Sequence, residues 1–313
     1  MTSHTLCRPR QVLLQLNACG FGAPVLGTFT NGRVEAWLHA RPLEPTELSN
    51  PALSCACASL VASFHLKAHV DGEEPVVKVW PLIREWLNTA RGLVLDPPER
   101  QAVLLQVRAC ECHALHTHTP AHTAPCCRFR QIDMDQLAAE VDEVQAACDA
   151  LHSPVVYSHN DLLAPNFLIQ DPAPGDGSPA ALYLIDFEYG CYNHRGFDLG
   201  NHFNEWAGFD CLYGQYPTDA QQRRFLGAYA VAAGLVGGEG EEGPGSSRVV
   251  DALVVEANVF SLASHLYWGI WALIQAKYSA IDFDYLAYHG LRLAEMRRRK
   301  AEVLALGASH HAA

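Results

Sequence analysis

Positive charge is what this sequence has least of: its 313 residues carry 22 Lys and Arg against 34 Asp and Glu, a formal net charge of −12. A nucleic-acid surface needs clustered cations to neutralise phosphates, so no nucleic-acid partner is expected, whereas a cationic small molecule suits the balance. The one dense basic run, Arg297-Arg298-Arg299-Lys300, falls near the end of a predicted helix, where cations complement the helix dipole. Two further absences concern location. The chain shows no amino-terminal signal with a basic start, apolar middle and small-residue cleavage site, and no stretch that reads as long and apolar enough to span a bilayer. A soluble, cytoplasmic protein without integral membrane association is expected. Eleven cysteines are present, yet the close pair Cys55 and Cys57 and the adjacent Cys126-Cys127 do not read as a disulfide framework, so reduced thiols are expected.

What is there is an ordinary folding composition, 49% apolar and 18% charged, far from the disordered range. The length allows one dominant domain sharing a continuous core with a smaller lobe. Residues 10–19 read as a short amphipathic helix that breaks at Gly20-Phe-Gly22-Ala-Pro24. Val25 to Thr30 and Arg33 to His39 then read as a hairpin around Asn31-Gly32. Helical spacing predicts helices over 54–68, 80–91, 134–151 (with Asp133 or Asp135 as its N-cap), 250–275 and 283–299. Short apolar runs at 155–157, 167–169 and 182–185 predict small strands, with 171–179 as a connecting loop. The Gly- and Glu-rich stretch 234–247 predicts a surface loop, and 307–313 a frayed terminus.

The chemistry concentrates in His159-Asn160-Asp161-Leu-Leu-Ala-Pro-Asn166 and Asp186-Phe187-Glu188. Phosphoryl transfer needs a group to orient the attacking hydroxyl, metal ligands to bridge the phosphates, and little covalent help. An acid two residues after a His, with an amide five residues further on, has the spacing of a protein-kinase catalytic loop, where the acid meets the nucleophile and the amide binds magnesium. Asp186, after an apolar strand, fits a second metal ligand. Taken singly, Asp161 reads as a helix cap, Asn166 as a turn residue and Asp186 as a strand end. Their combination is what points to kinase-like chemistry.

Ser158 to Asn166, together with Leu184-Ile-Asp-Phe-Glu-Tyr-Gly-Cys-Tyr-Asn-His-Arg-Gly-Phe-Asp-Leu-Gly-Asn-His-Phe-Asn-Glu-Trp206, resembles the two signatures of the choline and ethanolamine kinases. The resemblance implies an α+β, protein kinase-like two-lobe fold, with a partial, truncated nucleotide-binding N-lobe over 1–45 and a large, mainly helical C-lobe over 46–313. It implies ATP and Mg2+ as cofactors, Asp161 as catalytic base, Asn166 and Asp186 as metal ligands supported by Glu188, and Glu205 as a carboxylate near the substrate's ammonium. Trp268 and Trp271 match the family's aromatic positions, and Tyr285 and Tyr288 are candidates to complete the pocket. On spacing alone, aromatic residues of this kind read as helix core; a cation also favours their faces. The implied reaction is phosphorylation of ethanolamine, the first step of the CDP-ethanolamine route to phosphatidylethanolamine, with choline as the alternative acceptor. Asn204 to Gly208 and Ala272 to Asp284 look more like ethanolamine kinases.

Family members begin with a phosphate-covering loop and a strand lysine that pairs with a helix glutamate. Here Arg10 falls about where that acid belongs, no Gly-rich loop or Lys precedes it, and Gly20-Phe-Gly22 reads as a turn rather than a phosphate cradle. A non-catalytic alternative therefore stays open, a regulatory or binding subunit that forms a homodimer or a heterodimer with a full-length relative. Aminoglycoside phosphotransferases share the general motif logic, but the long match from Glu188 to Trp206 argues against them. Cys110, Cys112, His113, His116, His118, His122, Cys126 and Cys127 form a stretch that could bind zinc, although the spacing matches no closed structural site and scattered surface residues are the commoner reading.

Overall fold

A computed structural model of the chain describes residues 9–93, 132–170, 180–237 and 244–311. The Cys/His stretch 110–127 and the loop 171–179 lie outside the described residues. The first predicted helix is α1 (Pro9–Ala18), which buries Val12, Leu13 and Leu16 on one face. It stops where Gly20 and Gly22 take φ of 89° and 79°, a left-handed conformation that glycine adopts without steric cost. Asn17 fastens the turn, donating to Phe21 O at 2.8 Å and accepting from the Val25 N–H at 2.6 Å.

β1 (Val25–Phe29) and β2 (Gly32–Glu35) pair antiparallel, with Phe29 opposite Gly32. The hairpin turn is thus Thr30-Asn31, one residue before the predicted Asn31-Gly32. Gly32 is a strand residue because the Phe29 ring lies over it: an added Cβ would sit 2.4 Å from that ring. β2 also ends at Glu35, short of His39. β3 (Arg41–Pro42) pairs with β5 (Phe167–Gln170), which pairs with β6 (Ala181–Leu184), giving a three-stranded antiparallel sheet. β4 (Val155–Ser158) pairs with β7 (Cys191–His194) in a separate ribbon.

The rest is helical. α2 (Pro51–Lys67) starts three residues before the predicted Ser54 because Asn50 caps it, accepting from the N–H groups of Ala52 and Leu53. α3 is Val79–Arg91, and α4 is Met134–Ala150, capped by Asp133. α5 (Arg195–Glu205), α6 (Asp219–Ala232), α7 (Pro244–Tyr278) and α8 (Tyr285–His311) complete the body. α7 begins inside the stretch predicted as loop. Contrary to the sequence reading, it is long and apolar enough to cross a bilayer. Its apolar surface is instead covered by protein: α3, α4, α5, α6 and α8 all pack on it, and its centre from Leu253 to Ala272 is almost wholly buried.

α8 corrects two further expectations. It continues through Gly307 to His311 instead of fraying, because Gly307 sits buried against α7, its would-be Cβ 3.1 Å from Val259. The basic run therefore lies in mid-helix and does not serve the helix dipole. Arg297 makes a two-pronged ion pair with Glu140 of α4 at 2.8 and 2.9 Å, and Lys300 pairs with Glu143. Arg298 pairs with Glu295, while Arg299 lies 4.0 Å over the Tyr216 ring and donates to Asn258. Cations expected to complement a helix end instead, at Arg297, Arg299 and Lys300, clasp α8 to its neighbours.

α5 packs on α7 backbone to backbone. A Cβ on Gly200 would lie 2.5 Å from the Ser261 nitrogen and 2.6 Å from the Ala257 oxygen, backbone atoms that have nowhere to go. Gly200→Ala is expected to lower stability by about 1–3 kcal/mol, read as a lower urea midpoint at unchanged slope. Burial also pulls the imidazoles of His202 and His289 down to about 4, and burial with the nearby Arg292 lowers His265 further. Since an unfolded imidazole titrates at about 6.5, the unfolded chain takes up protons that the native one refuses as pH falls from that value toward 4. Their stabilising contribution is thus complete above pH ~6.5 and lost on acidification; Asp161, raised by burial, titrates in the opposite sense but is outnumbered. The melting temperature is expected to fall between pH 7 and pH 5, with proton uptake on unfolding measurable by calorimetry in buffers of different ionisation enthalpy.

Candidate active site

Where β4 ends, the chain enters the loop His159–Asn166 over a buried carboxylate. Asp198, in the first turn of α5, accepts the His159 N–H at 2.7 Å and the Asn160 N–H at 2.6 Å. His65 of α2 adds a third bond, Nε2 to Asp198 Oδ2 at 2.9 Å, and its other nitrogen lies 2.8 Å from the Tyr229 hydroxyl. Asn160 takes a φ of 65°, a left-handed position that Asn tolerates better than most residues. Its side chain donates to Tyr189 O at 2.9 Å and accepts from Asn193 at 2.8 Å, tying the loop to the Asp186 segment and to β7.

His159 forms the next tie. Its Nδ1 accepts the Asp161 N–H at 3.3 Å and its Nε2–H donates to Ile185 O at 2.8 Å. Those two bonds require the neutral ring, and burial lowers its pKa accordingly. The short three-residue helical turn Ala164–Asn166 then delivers Asn166 to the start of β5. Asn166 Nδ2 donates to Asp161 O at 2.8 Å and to Asp161 Oδ2 at 3.1 Å, and Asn166 O accepts from the Ile185 N–H at 3.0 Å. With Phe167 opposite Leu184 in the β5–β6 ladder, Asn166 and Asp186 arrive at the same end of one hairpin. Asp186 has a φ of 64°, so the second strained position of the site is the other motif carboxylate.

Asp161 is the focus of this enclosure. Its pKa is pushed well up, first by burial, then by the charges of Glu205 and Asp186 and more weakly by Glu188, with the Asn166 hydrogen bond acting against them. Glu188 is exposed and also raised, by partial burial and by Asp186. Among the described residues no three His, Cys, Asp or Glu side chains are spaced to hold a metal ion by themselves. With its amide nitrogen committed to Asp161, Asn166 presents a side-chain oxygen, and Asp186 is an exposed carboxylate. This hard-oxygen donor set fits Mg2+, which binds through one or two protein ligands and completes its shell with phosphate oxygens and water.

The predicted aromatic residues form a wall beside these carboxylates. Trp268 packs edge-on against Trp271 at 5.2 Å and against Tyr189 at 5.0 Å, and Trp271 continues to Tyr285 at 5.6 Å. Phe283 joins Tyr285 to Tyr288, and Phe209 closes the edge at 6.1 Å from Phe283. Trp268 is a buried member, its Nε1–H donating to Asn201 Oδ1 at 2.8 Å, whereas Trp271 is half-buried. Glu205, at the end of α5, is buried and its Oε1 accepts from Arg292 of α8 at 2.7 Å. A separate cavity of about 420 Å³ lies along Trp37, Leu38, His39, Ala40 and Arg41, with Ile169 of β5 in its wall. A groove of about 700 Å³ between α6, α7 and α8 is distant in kind, sharing none of the motif residues.

The sequence reading missed Asp198, Tyr189, Asn201 and Arg292. Arg292 left a trace: Tyr285, Tyr288, His289, Arg292, Leu293 and Met296 make one helical stripe, and a charged residue on an otherwise buried stripe needs a buried partner. Asp198 falls inside the quoted Leu184 to Trp206 signature, but spacing gave it no role, since its partners are backbone N–H groups 38 and 39 residues away and the His65 side chain.

The family model for choline/ethanolamine kinase matches residues 6–297. A probable ethanolamine kinase of Arabidopsis thaliana is 37% identical over 312 residues, 99% of this chain and 72% of that protein. The probable ethanolamine kinase A of Dictyostelium discoideum is 33% identical, over 90% of this chain and 69% of its own length. Among solved structures, a Plasmodium vivax ethanolamine kinase superposes with a TM-score of 0.73 at 22% identity, covering 95% of this chain and 74% of that one. The protein kinase-like fold is thus shared, and with the match running through both motif segments the chain belongs to the choline/ethanolamine kinase family.

Proposed function

We propose that this protein transfers the γ-phosphoryl group of ATP to the hydroxyl of ethanolamine, releasing phosphoethanolamine and ADP. The observation that supports this best is the Asp161 carboxylate held by Asn166 Nδ2 at 3.1 Å and raised by burial and by the charge of Glu205, beside an aromatic wall. That enclosure suits a small molecule with a cationic end and a hydroxyl to be deprotonated. Asp161 accepts the hydroxyl proton as the new O–P bond forms and the bond from γ-phosphorus to the ADP oxygen breaks; a raised carboxylate pKa makes it a stronger base for that step. Asn166 holds the Asp161 carboxylate in place through Nδ2. Asn166 and Asp186, with Glu188 behind, would hold Mg2+, which when bound neutralises charge on the phosphate oxygens. The cavity along Trp37 to Arg41 adjoins the sheet that carries Asn166 and is the proposed seat of the nucleotide.

Ethanolamine is favoured over choline because Glu205 offers a hydrogen-bond acceptor that only a primary ammonium can use; the aromatic wall keeps choline as the second acceptor to test. Transfer of γ-32P from ATP to ethanolamine and to choline, measured side by side, decides the matter: no transfer to either acceptor overturns the enzymatic reading, and a higher kcat/KM for choline reverses the preference.

Two substitutions probe the roles. Asp161→Asn is expected to reduce kcat by about 10²–10⁴-fold with melting temperature preserved; unchanged turnover would remove Asp161 from proton transfer. Trp271→Ala is a cleaner probe of the wall than Trp268→Ala, which would also remove a hydrogen bond to Asn201 and open a core cavity. Loss of the Trp271 face is expected to weaken choline by about 1–2 kcal/mol, roughly five- to thirtyfold in KM, and ethanolamine by less. Equal losses for the two substrates would count against a cation-binding wall.

A further inference from the structure

Arg292 heads the fully buried side chains of the described residues by size, with 1% of its surface exposed. Nη1 donates to Glu205 Oε1 at 2.7 Å and to the Tyr288 hydroxyl at 2.9 Å, and Nη2 donates to Ser264 Oγ at 2.9 Å. The Ser264 hydroxyl in turn donates to Asn201 Oδ1 at 2.8 Å, the same oxygen that accepts from Trp268. The guanidinium is thus gripped from α5, α7 and α8 at once, and its planar fork has little freedom to turn. A buried cation is tolerated where its donors are used; both Nη groups are engaged, and Nε is its one donor nitrogen without a partner among the described residues. Here the carboxylate that receives one of them is spoken for at Oε1 alone: Oε2 takes no hydrogen bond from the described residues.

We infer that Arg292 is a positioning residue that selects a primary amine, by pinning Glu205 Oε1 so that Oε2 is left as an acceptor for a substrate N–H. The inference rests on the proposed contact between Glu205 and the ammonium. An ethanolamine nitrogen carries three N–H donors and can use that oxygen; a trimethylammonium carries none and relies on aromatic faces. Arg292 therefore acts on one substrate more than the other, which an ion pair serving only the fold would not do.

Steady-state kinetics of Arg292→Met, Arg292→Lys, Ser264→Ala and Glu205→Gln, with ethanolamine, choline and ATP each varied, provide the test. In Arg292→Met the KM for ethanolamine is expected to rise about tenfold or more and that for choline less than about threefold, with kcat and the KM for ATP close to the parent. Arg292→Lys, which keeps the charge but not the fork, is expected to recover part of the ethanolamine KM. Equal rises for both amines, or a rise in the KM for ATP of similar size, overturn the inference, since that is the pattern of general loosening. Should Arg292→Met fail to fold, Ser264→Ala decides, because it removes the shorter acceptor of Nη2 and leaves only the Ser264 carbonyl at 3.3 Å, without stranding a charge: about a threefold selective rise in the ethanolamine KM supports the inference, and no selective change overturns it. The underlying reading is judged separately: an unchanged ethanolamine KM in Glu205→Gln withdraws the ammonium contact itself, whatever Arg292 does.

Discussion

The catalytic loop hangs from the carboxylate of Asp198. Two backbone N–H groups at the start of the loop, His159 and Asn160, end on its two oxygens, and His65 supplies a third bond from another helix. A buried carboxylate with fewer donors would be intolerable, and two consecutive buried N–H groups without an acceptor equally so. Each solves the problem of the other. Because Asp198 is helical and its helix is pressed onto α7 with backbone-to-backbone closeness at Gly200, the loop inherits the rigidity of that interface. The left-handed φ of Asn160 is then a consequence: the chain must turn sharply to present Asp161 after meeting that carboxylate, and the Asn160 side chain closes the gap it leaves.

From that frame the charges fall into two groups. Asp161, Asp186, Glu188 and Glu205 lie on the side where substrate, phosphates and metal are proposed to meet, and burial first, then neighbouring carboxylate charge, raises the carboxyl groups of Asp161 and Glu188. Such a cluster is stable only if cations arrive from outside or are built in behind. Arg292 is built in behind, on the core side of Glu205. The overall acidity of the chain has therefore a local counterpart at the site, one that attracts a positively charged acceptor molecule.

The parts legible in the sequence were those whose meaning is local. The loop from His159 to Asn166 and the Asp186 segment fall within short windows, and strand endings with turn residues mark their surroundings. The helix started by Asp133 was placed to within a residue, whereas α2, capped by Asn50, began three residues before its predicted start and α6, capped by Thr218, was missed. What escaped was set by packing between distant segments. The length of α8 depended on a glycine meeting Val259, the basic run on acids of α4, and the orientation of Glu205 on an arginine 87 residues later. An apolar helix buried by five neighbours and one buried by lipid have similar compositions, and only the neighbours distinguish them. The aromatic residues were found as a set, but their division into a core member, Trp268, and a surface member, Trp271, follows from Asn201.

α7 is at once the axis of the core and the carrier of Trp268 and Trp271. A helix surrounded on this scale opens only when the whole body unfolds, so that side of the pocket is a fixed wall on the timescale of turnover. Phe209, 56% exposed, joins that wall at its edge, 6.1 Å from Phe283 and flanked by the left-handed Gly208 and Cys211. The wall thus has one end in the core and one at the surface: change on α7 is answerable first to the stability of the fold, while change at Phe209 is not.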